Sequence, residues 1–580
     1  MNNLQRRGYS NSHKLRLRLL CAVGIVLGTL APPLAAAAAD GDRDRSETLR
    51  DSEWRLVAFQ SMDDAIGTIR PPEGARFTLR LNADGSTNLQ LDCNVANGSW
   101  SAQPDGSGDG GSFEFGTLAV TRALCPPPNL DERIARDTQF VRSFRLRDER
   151  LYLGLMADGG IYEWERVKRI ANAEDSDPAR LGWMQGFPPP QERLIGQPDS
   201  NYFSFPKLRW SVCHLRELLP TRQVSRGLGA PSRLRRRLDR AIDELSFVPI
   251  GGDEPMTWRQ SLAANYTDGI VILHRGRIVY ERYSGCLEEA GKHGAMSMTK
   301  SLTGLLAEIM VVEGKLDETA AVSTIVPELG ASAFGDATVR QVMDMTTALD
   351  YSEDYSDPAA DVWIYNAAAN PLPKPAGYEG PRSYYEYLQT VRKQGPHGQA
   401  FGYKTINTDA LGWILARASG QSVADLLSER LWQRIGAEQD AYMTVDSIGT
   451  PFAGGGLSAG LRDLARIGQL MLDQGVANGR RLFPAEVVRN ISAGGDKAAF
   501  AKAGYTTIPG GSYRSMWWSF HNEHGAYAAR GVHGQTIYID PSAKMVIVRF
   551  ASHPSAKNAV IDPTSLPAYQ AVAEHLRSRS

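Results

Sequence analysis

The sequence predicts an α+β domain preceded by a small, mostly β domain. Apolar strand-like runs near 268–283 and 515–550 flank a long, mainly helical stretch, and a last helix follows them. Strands, then helices, then strands again imply an antiparallel sheet completed by distant parts of the chain, with flanking helices and a helical subdomain beside it. Short alternating runs between Trp54 and Trp164 predict the small β domain. At 580 residues the chain is too long for one typical core, so two or more domains are expected.

From the N-terminus, Lys14, Arg16 and Arg18 precede the apolar run Leu19–Leu30, and small residues follow at 35–39. That order reads as a signal peptide over 1–39. The run is shorter than a membrane span requires, so cleavage is expected rather than anchoring, with no span afterwards. The protein is then exported, periplasmic or secreted. Cys93, Cys125, Cys213 and Cys286 remain in the mature chain, in a compartment that permits disulfides. Three pairings are open to four cysteines, and Cys93 with Cys125 is favoured because both fall in the small domain.

Residues 40–51 read as a charged, flexible leader. Trp54–Phe59 is the first expected strand. Ala75–Leu81 alternates, turns at Asn82-Ala83-Asp84-Gly85 and pairs with Thr87–Leu91. Gly111–Phe115, a helix near Asp131–Val141, and strands at Leu151–Leu153 and Ile161–Trp164 complete the domain. Residues 169–205 form a linker stiffened by Pro188–Pro190, and 206–580 form the large domain. There, Asp268–His274 and Arg277–Tyr283 make a hairpin around Arg275-Gly276. Late strands are expected at Ser515–Phe520, Tyr527–Arg530, Thr536–Asp540 and Met545–Phe550, and a helix at Ala568–Arg577.

Hydrophobic residues make up 42% of the chain and charged ones 22%, an ordinary globular balance. A formal net charge of -1 gives no field that would draw nucleic acid. The basic run Arg233–Arg237, continuing to Leu245, reads as the solvated face of an amphipathic helix.

The chemistry centres on Ser297-Met298-Thr299-Lys300. Apolar residues at 302, 305, 306, 309 and 310 recur at helical spacing. A helix starting near Ser297 sets Ser297 and Lys300 one turn apart on one face. It also places the serine oxygen at the positive end of the helix dipole. A lysine buried there without a carboxylate partner loses proton affinity and becomes a base, which is one way to activate a hydroxyl.

Two rival patterns are weaker. Gly456-Leu457-Ser458-Ala459-Gly460 fits a nucleophile elbow, with His533 downstream as its base, but Pro451–Gly455 is not the apolar strand such an elbow needs. Ser458 is therefore expected near a helix start. His521 and His524 form a histidine pair without an evident third ligand. No metal and no cofactor are expected.

Trp54-Arg55-Leu56, Asp92-Cys93-Asn94 before Gly98, and Thr121–Pro126 resemble META-type domains over 52–168, which imply no catalysis. Further on, Ser297-x-x-Lys300, then Tyr403 in Phe401–Gly412, then Ala529-Arg530-Gly531 resemble the three ordered elements of the penicillin-recognising serine hydrolases. With Met184–Pro190, Arg209–Val212 and Ala453–Leu457, the set is most similar to the branch of 6-aminohexanoate-dimer hydrolases and class-C-like esterases, over about 180–580.

The resemblance implies that fold and a set of roles. Ser297 is the nucleophile, and Lys300 and Tyr403 share the proton transfers, in an order the residues leave open. The N–H groups of Ser297 and Val532 form the oxyanion hole, and Gly531 lets the strand approach substrate. Tyr355 lines the pocket and contacts the scissile amide; Trp518 and His533 are expected to line the cleft. Thr405 stands where the usual asparagine would be and Ala529 where the strand lysine would be. Both losses argue against β-lactam turnover. The expectation is an exported hydrolase of small esters or linear amides acting through an acyl-enzyme on Ser297. The alternatives are a β-lactamase or D-amino peptidase of this fold, or an inactive envelope binding protein.

Overall fold

The chain divides after residue 169 into two units, each with its own core. The computed structural model describes residues 49–579 apart from 64–65, 73–74, 106–109, 122, 124, 126–129, 158, 168–171, 197–200, 354–358 and 375. The signal segment, most of the leader, the glycine-rich tip at 106–109 and Tyr355 therefore lie outside the described residues.

The first unit is one antiparallel sheet that closes on itself. Its strands are β1 (Ser52–Gln60), β2 (Thr68–Ile69), β3 (Phe77–Leu81), β4 (Ser86–Leu91), β5 (Asn94–Pro104), β6 (Gly110–Phe115), β7 (Ala119–Val120), β8 (Val141–Arg147), β9 (Arg150–Leu155) and β10 (Ile161–Arg166). Pairing runs from β1 through β3, β4, β5, β6, β8 and β9 to β10, which pairs with β1 again. Closure leaves no open edge along that ring. Helix α1 (Leu130–Asp137) adds Leu130 and Ile134 to a core that holds Trp54, Phe59, Phe113 and Trp164. Cys93 and Cys125 are bonded.

The longest strand, β5, was not among the expected ones. Its sequence, Asn94-Val95-Ala96-Asn97-Gly98-Ser99-Trp100, is polar and carries a glycine, so it lacks the strand pattern. Pairing with β4 on one side and β6 and β7 on the other makes it a strand.

The second unit is built on β11 (Thr221–Val224), β12 (Arg235–Arg236), β13 (Thr267–His274), β14 (Arg277–Tyr283), β15 (His293–Gly294), β16 (Ala441–Thr444), β17 (Leu457–Ala459), β18 (Ser512–Arg514), β19 (Trp517–Ser519), β20 (Tyr527–Gly531), β21 (Gln535–Asp540) and β22 (Met545–Ala551). The main sheet has the order β12-β14-β13-β22-β21-β20-β19-β18. It is antiparallel except for the β12–β14 pair. The expected joining of early and late strands is the β13–β22 ladder. A small sheet, β11-β16-β17-β15, stands apart from it.

Helix α2 (Met298–Val312) is buried on every side, which explains its apolar faces. Its Gly304 allows a close approach, because a Cβ there would lie 2.0 Å from the Ser515 carbonyl oxygen. The other helices that matter below are α3 (Asp361–Ala369), α4 (Ile406–Ser419), α5 (Leu461–Leu472) and α6 (Asn558–Ser578).

Several expectations are corrected. The run Arg233–Leu245 is not an amphipathic helix. Arg235 and Arg236 form the parallel edge strand β12, and Arg240–Glu244 is one short 3-10 turn. The stretch Ser515–Phe520 is not one strand. A turn at Ser515 (φ 48°) and Met516 (φ 65°) separates β18 from β19. Nothing local demands that turn. Asp344 accepts the Ser515 N–H, the Ser515 hydroxyl donates to Glu308, and Met516 N–H donates to Met343. Helix α6 begins ten residues earlier than expected and contains Pro563 and Pro567, the usual signals against helix. The linker also carries helical turns, Pro178–Leu181 and Gln191–Arg193.

Candidate active site

Ser297 is the N-cap of α2, and its neighbour Met296 lies in the left-handed region at φ 46°. Such a conformation is strained for a residue with a side chain and persists only where the surroundings impose it. They do so here. The Ala295 N–H donates to Leu457, and β15 just upstream pairs with β17. The Thr299 hydroxyl accepts from Leu457 N–H and the Thr303 hydroxyl donates to Ala453. The start of α2 is thus fastened to the segment 453–457.

That fastening delivers a backbone carbonyl to Lys300. Its Nζ donates to Ser297 Oγ at 2.9 Å and to the Gly454 carbonyl at 2.6 Å. It also stands 5.2 Å from the centre of the Tyr403 ring. Lys300 is 1% exposed, whereas Ser297 keeps 9%, so the hydroxyl is the more reachable of the two. Burial pushes the lysine down to about 8, although Glu353 and Asp409 pull the other way. Neither oxygen bonded to the amine carries a formal charge.

Tyr403 precedes α4. Burial raises its hydroxyl well above the usual tyrosine range, and a hydrogen bond with Ser297 lowers it in part. The phenol is therefore neutral near pH 7. Its ring belongs to an aromatic group with Trp518 at 5.6 Å and Tyr513 at 6.2 Å.

Gly531 ends β20 facing the start of α2; a Cβ there would lie 3.0 Å from the Ala295 carbonyl oxygen. Val532 follows and packs by Met296. His533 has φ 62°, and its Nδ1 lies 2.7 Å from the His553 carbonyl. Burial lowers it to about 4, which leaves a neutral ring. Ser297, Lys300 and Tyr403 are brought together, Gly531 and Val532 flank them, and Trp518 packs on the tyrosine. Tyr355 is outside the described residues.

Three residues at the site were missed in the sequence. Glu353 accepts hydrogen bonds from the Thr405 N–H and hydroxyl at 2.5 Å, so the departure from asparagine at 405 comes with a carboxylate. Arg530 stands 5.3 Å from the Trp518 ring and is bonded to Asp562 of α6. Asp409 is taken up below. An acidic loop, a degraded strand motif and an acid in the first turn of a helix gave no signal of these pairings.

The rival motifs come apart. Ser458 is fully buried on β17, paired with Gly294 and Tyr442. His524 is bonded to Asp540, while His521 is bonded to Ser512. Cys213, Cys286 and His293 also cluster, but the two sulfurs are bonded to each other.

Residues 259–567, more than half of the chain, match the β-lactamase family. The chain belongs to that family. Residues 47–166 of this β-lactamase-family hydrolase match the META domain. It is 38% identical over 351 residues to the 6-aminohexanoate-dimer hydrolase of Paenarthrobacter ureafaciens, covering 60% of this chain and 86% of the relative. A solved Bacillus anthracis structure, provisionally named a 6-aminohexanoate-dimer hydrolase, aligns with a TM-score of 0.60 at 33% identity, over 66% of this chain and 99% of that one.

Proposed function

We propose that this hydrolase is exported and cleaves small carboxylic esters or linear amides, of the 6-aminohexanoate-oligomer kind, through an acyl-enzyme on Ser297. The observation that carries the reading is the 2.9 Å bond between Lys300 and Ser297, made by a lysine whose proton affinity burial has lowered so that a free amine is present near neutral pH. Two bonded cysteine pairs support an oxidising compartment.

In this reading the neutral Lys300 amine takes the Ser297 proton as Oγ bonds to the substrate carbonyl carbon. Negative charge develops on the carbonyl oxygen. The N–H groups of Ser297, at the head of α2, and of Val532 receive it. When the tetrahedral species collapses, the C–O or C–N bond breaks and the Tyr403 hydroxyl gives its proton to the leaving alcohol or amine. The Lys300 ammonium returns a proton to the tyrosine. Water then attacks the acyl carbon, its proton passes back through the same pair, and the carboxylic acid leaves with Ser297 restored.

The test compares p-nitrophenyl esters, linear amide oligomers and nitrocefin on one preparation, with intact-mass detection of the acylated protein. Ester or amide turnover above nitrocefin, with label on Ser297 and none on Ser297→Ala, is the expected result. Nitrocefin turnover far above the others would overturn the substrate class, and absence of label on the native protein would overturn the enzyme reading.

A further inference from the structure

The Gly454 carbonyl that holds Lys300 belongs to a peptide segment that is itself held from behind. Asp409, in the first turn of α4, accepts the Gly454 N–H at Oδ1 (3.2 Å) and the Tyr365 hydroxyl at Oδ2 (2.6 Å). Asp409 is 3% exposed, and the bonded oxygens are met by neutral donors. Burial raises its carboxyl to about 7, with Tyr365, Lys300 and Gly454 acting against that rise. An unbroken line of contacts thus runs from Tyr365 through Asp409 and Gly454 to Lys300 and Ser297.

We propose that Asp409 is a positioning residue for Lys300: through the Gly454 N–H it fixes the carbonyl that binds the amine, and it supplies buried negative charge facing that amine. The inference rests on the reading of Lys300 as the base for Ser297. Two features support a role beyond packing. A buried acid carries a desolvation cost that filling space alone does not require. Asp409 also lines a cavity of about 210 Å3 with Tyr385, Trp413, Gln421 and Thr450, whose walls include neither Ser297 nor Tyr403.

The charged and titratable groups facing this pair are few. Tyr365 faces Asp409 from α3, Tyr384 and Tyr385 face it from the helix after α3, and Asp446 faces it from the loop beyond β16. Glu353 faces Lys300 from the loop before α3, and the Tyr403 ring faces it from the loop before α4. Both carboxylates raise the proton affinity of Lys300. Removing the Asp409 charge therefore lets the amine lose its proton at lower pH.

The experiment is the pH dependence of kcat/KM on a p-nitrophenyl ester for the wild type, Asp409→Asn and Tyr365→Phe, with melting curves alongside. Asp409→Asn keeps an acceptor for Gly454 N–H, so its acidic limb should move down by about half a pH unit or more, with KM within about twofold because the residue does not touch substrate. Tyr365→Phe, which leaves Asp409 protonated to higher pH, should move the limb the same way by less. It also keeps the test open should Asp409→Asn fail to fold. A fall in kcat at every pH with the limb unmoved would mean a packing role and overturn the proposal. Fluorophosphonate labelling of the wild type separates the two failures. Label on Ser297 with unmoved limbs sinks the Asp409 inference alone, whereas no label sinks the underlying reading with it.

Discussion

Helix α2 carries two buried ionisable groups about two turns apart, and they are treated in opposite ways. At its head, Lys300 is bonded to a hydroxyl and a carbonyl, and its proton affinity falls. Further along, Glu308 is bonded to Arg340 at 2.8 Å, to Ser515 at 2.6 Å and to Asn490 at 2.9 Å. Burial opposes the charge on Glu308, but Arg340 and the two neutral donors outweigh it and hold the carboxyl below its usual range. Arg340 is further bonded to Glu318 and Asp344. One end of the helix is thus a satisfied charge network and the other a withheld one. The difference teaches that, in the proposed mechanism, the reactivity of Lys300 would come from what its neighbours do not supply. A direct carboxylate contact on Nζ would turn the base into a structural ammonium.

The sharpest way to break this contrast is Lys300→Met. Acylation of Ser297 should fall by about 10³-fold or more, since both the base and the relay to Tyr403 are lost. Stability should move the other way. The folded protein binds the Lys300 proton less tightly than the unfolded chain, whose lysine titrates near 10.5. Below about pH 8 both states hold that proton and the full desolvation cost is present; as pH rises from 8 towards 10.5 the unfolded state binds the extra proton and the cost is relieved. Lys300→Met should therefore gain about 1–3 kcal/mol near pH 7, and the gain should shrink towards pH 10.5. Denaturant curves at pH 7 and pH 10 measure it, and a loss of stability at pH 7 would contradict the account. In the wild type, kcat/KM should rise with pH through an acidic limb near 8.

Glu308→Ala probes the other end. It removes the acceptor for Arg340, Ser515 and Asn490 in a buried setting and should cost about 3 kcal/mol. Label on Ser297 should still form at temperatures where the variant is folded. A cost below about 1 kcal/mol would show that Glu318 and Asp344 alone satisfy the arginine.

How much of this was legible in the sequence follows the range of the interactions. The start of α2 is set by local periodicity, so the spacing of Ser297 and Lys300 was readable. The hairpin of β13 and β14 is likewise local. Tyr403 was placed by its order among motifs, and its approach to Ser297 depends on packing more than a hundred residues away. The turn at Ser515 and the strand β5 follow from partners distant in the chain, and their local composition points elsewhere. Asp409 and Glu353 were illegible for a related reason. An acid in a helix or an acidic loop ordinarily faces water, and only the assembled structure shows these two turned inward.

The smallest expected effect concerns Ser458, on the strand that fastens the start of α2 but outside the chemistry of the Lys300 site. Its pattern, Gly456-Leu457-Ser458-Ala459-Gly460, carries a serine between glycines, as a nucleophile elbow does. In the structure Ser458 lies in the middle of β17 between β15 and β16, fully buried, and α5 begins only at Leu461. A nucleophile needs an exposed oxygen and a base aimed at it, whereas Ser458 is enclosed by its own sheet. Ser458→Ala should leave the fluorophosphonate labelling rate unchanged within about twofold and alter stability by about 1 kcal/mol or less. Labelled peptide from the wild type should map to Ser297 alone. Label on Ser458, or its loss in this variant with the melting temperature intact, would move the nucleophile from the helix to the strand and remove the basis for the contrast between the two ends of α2.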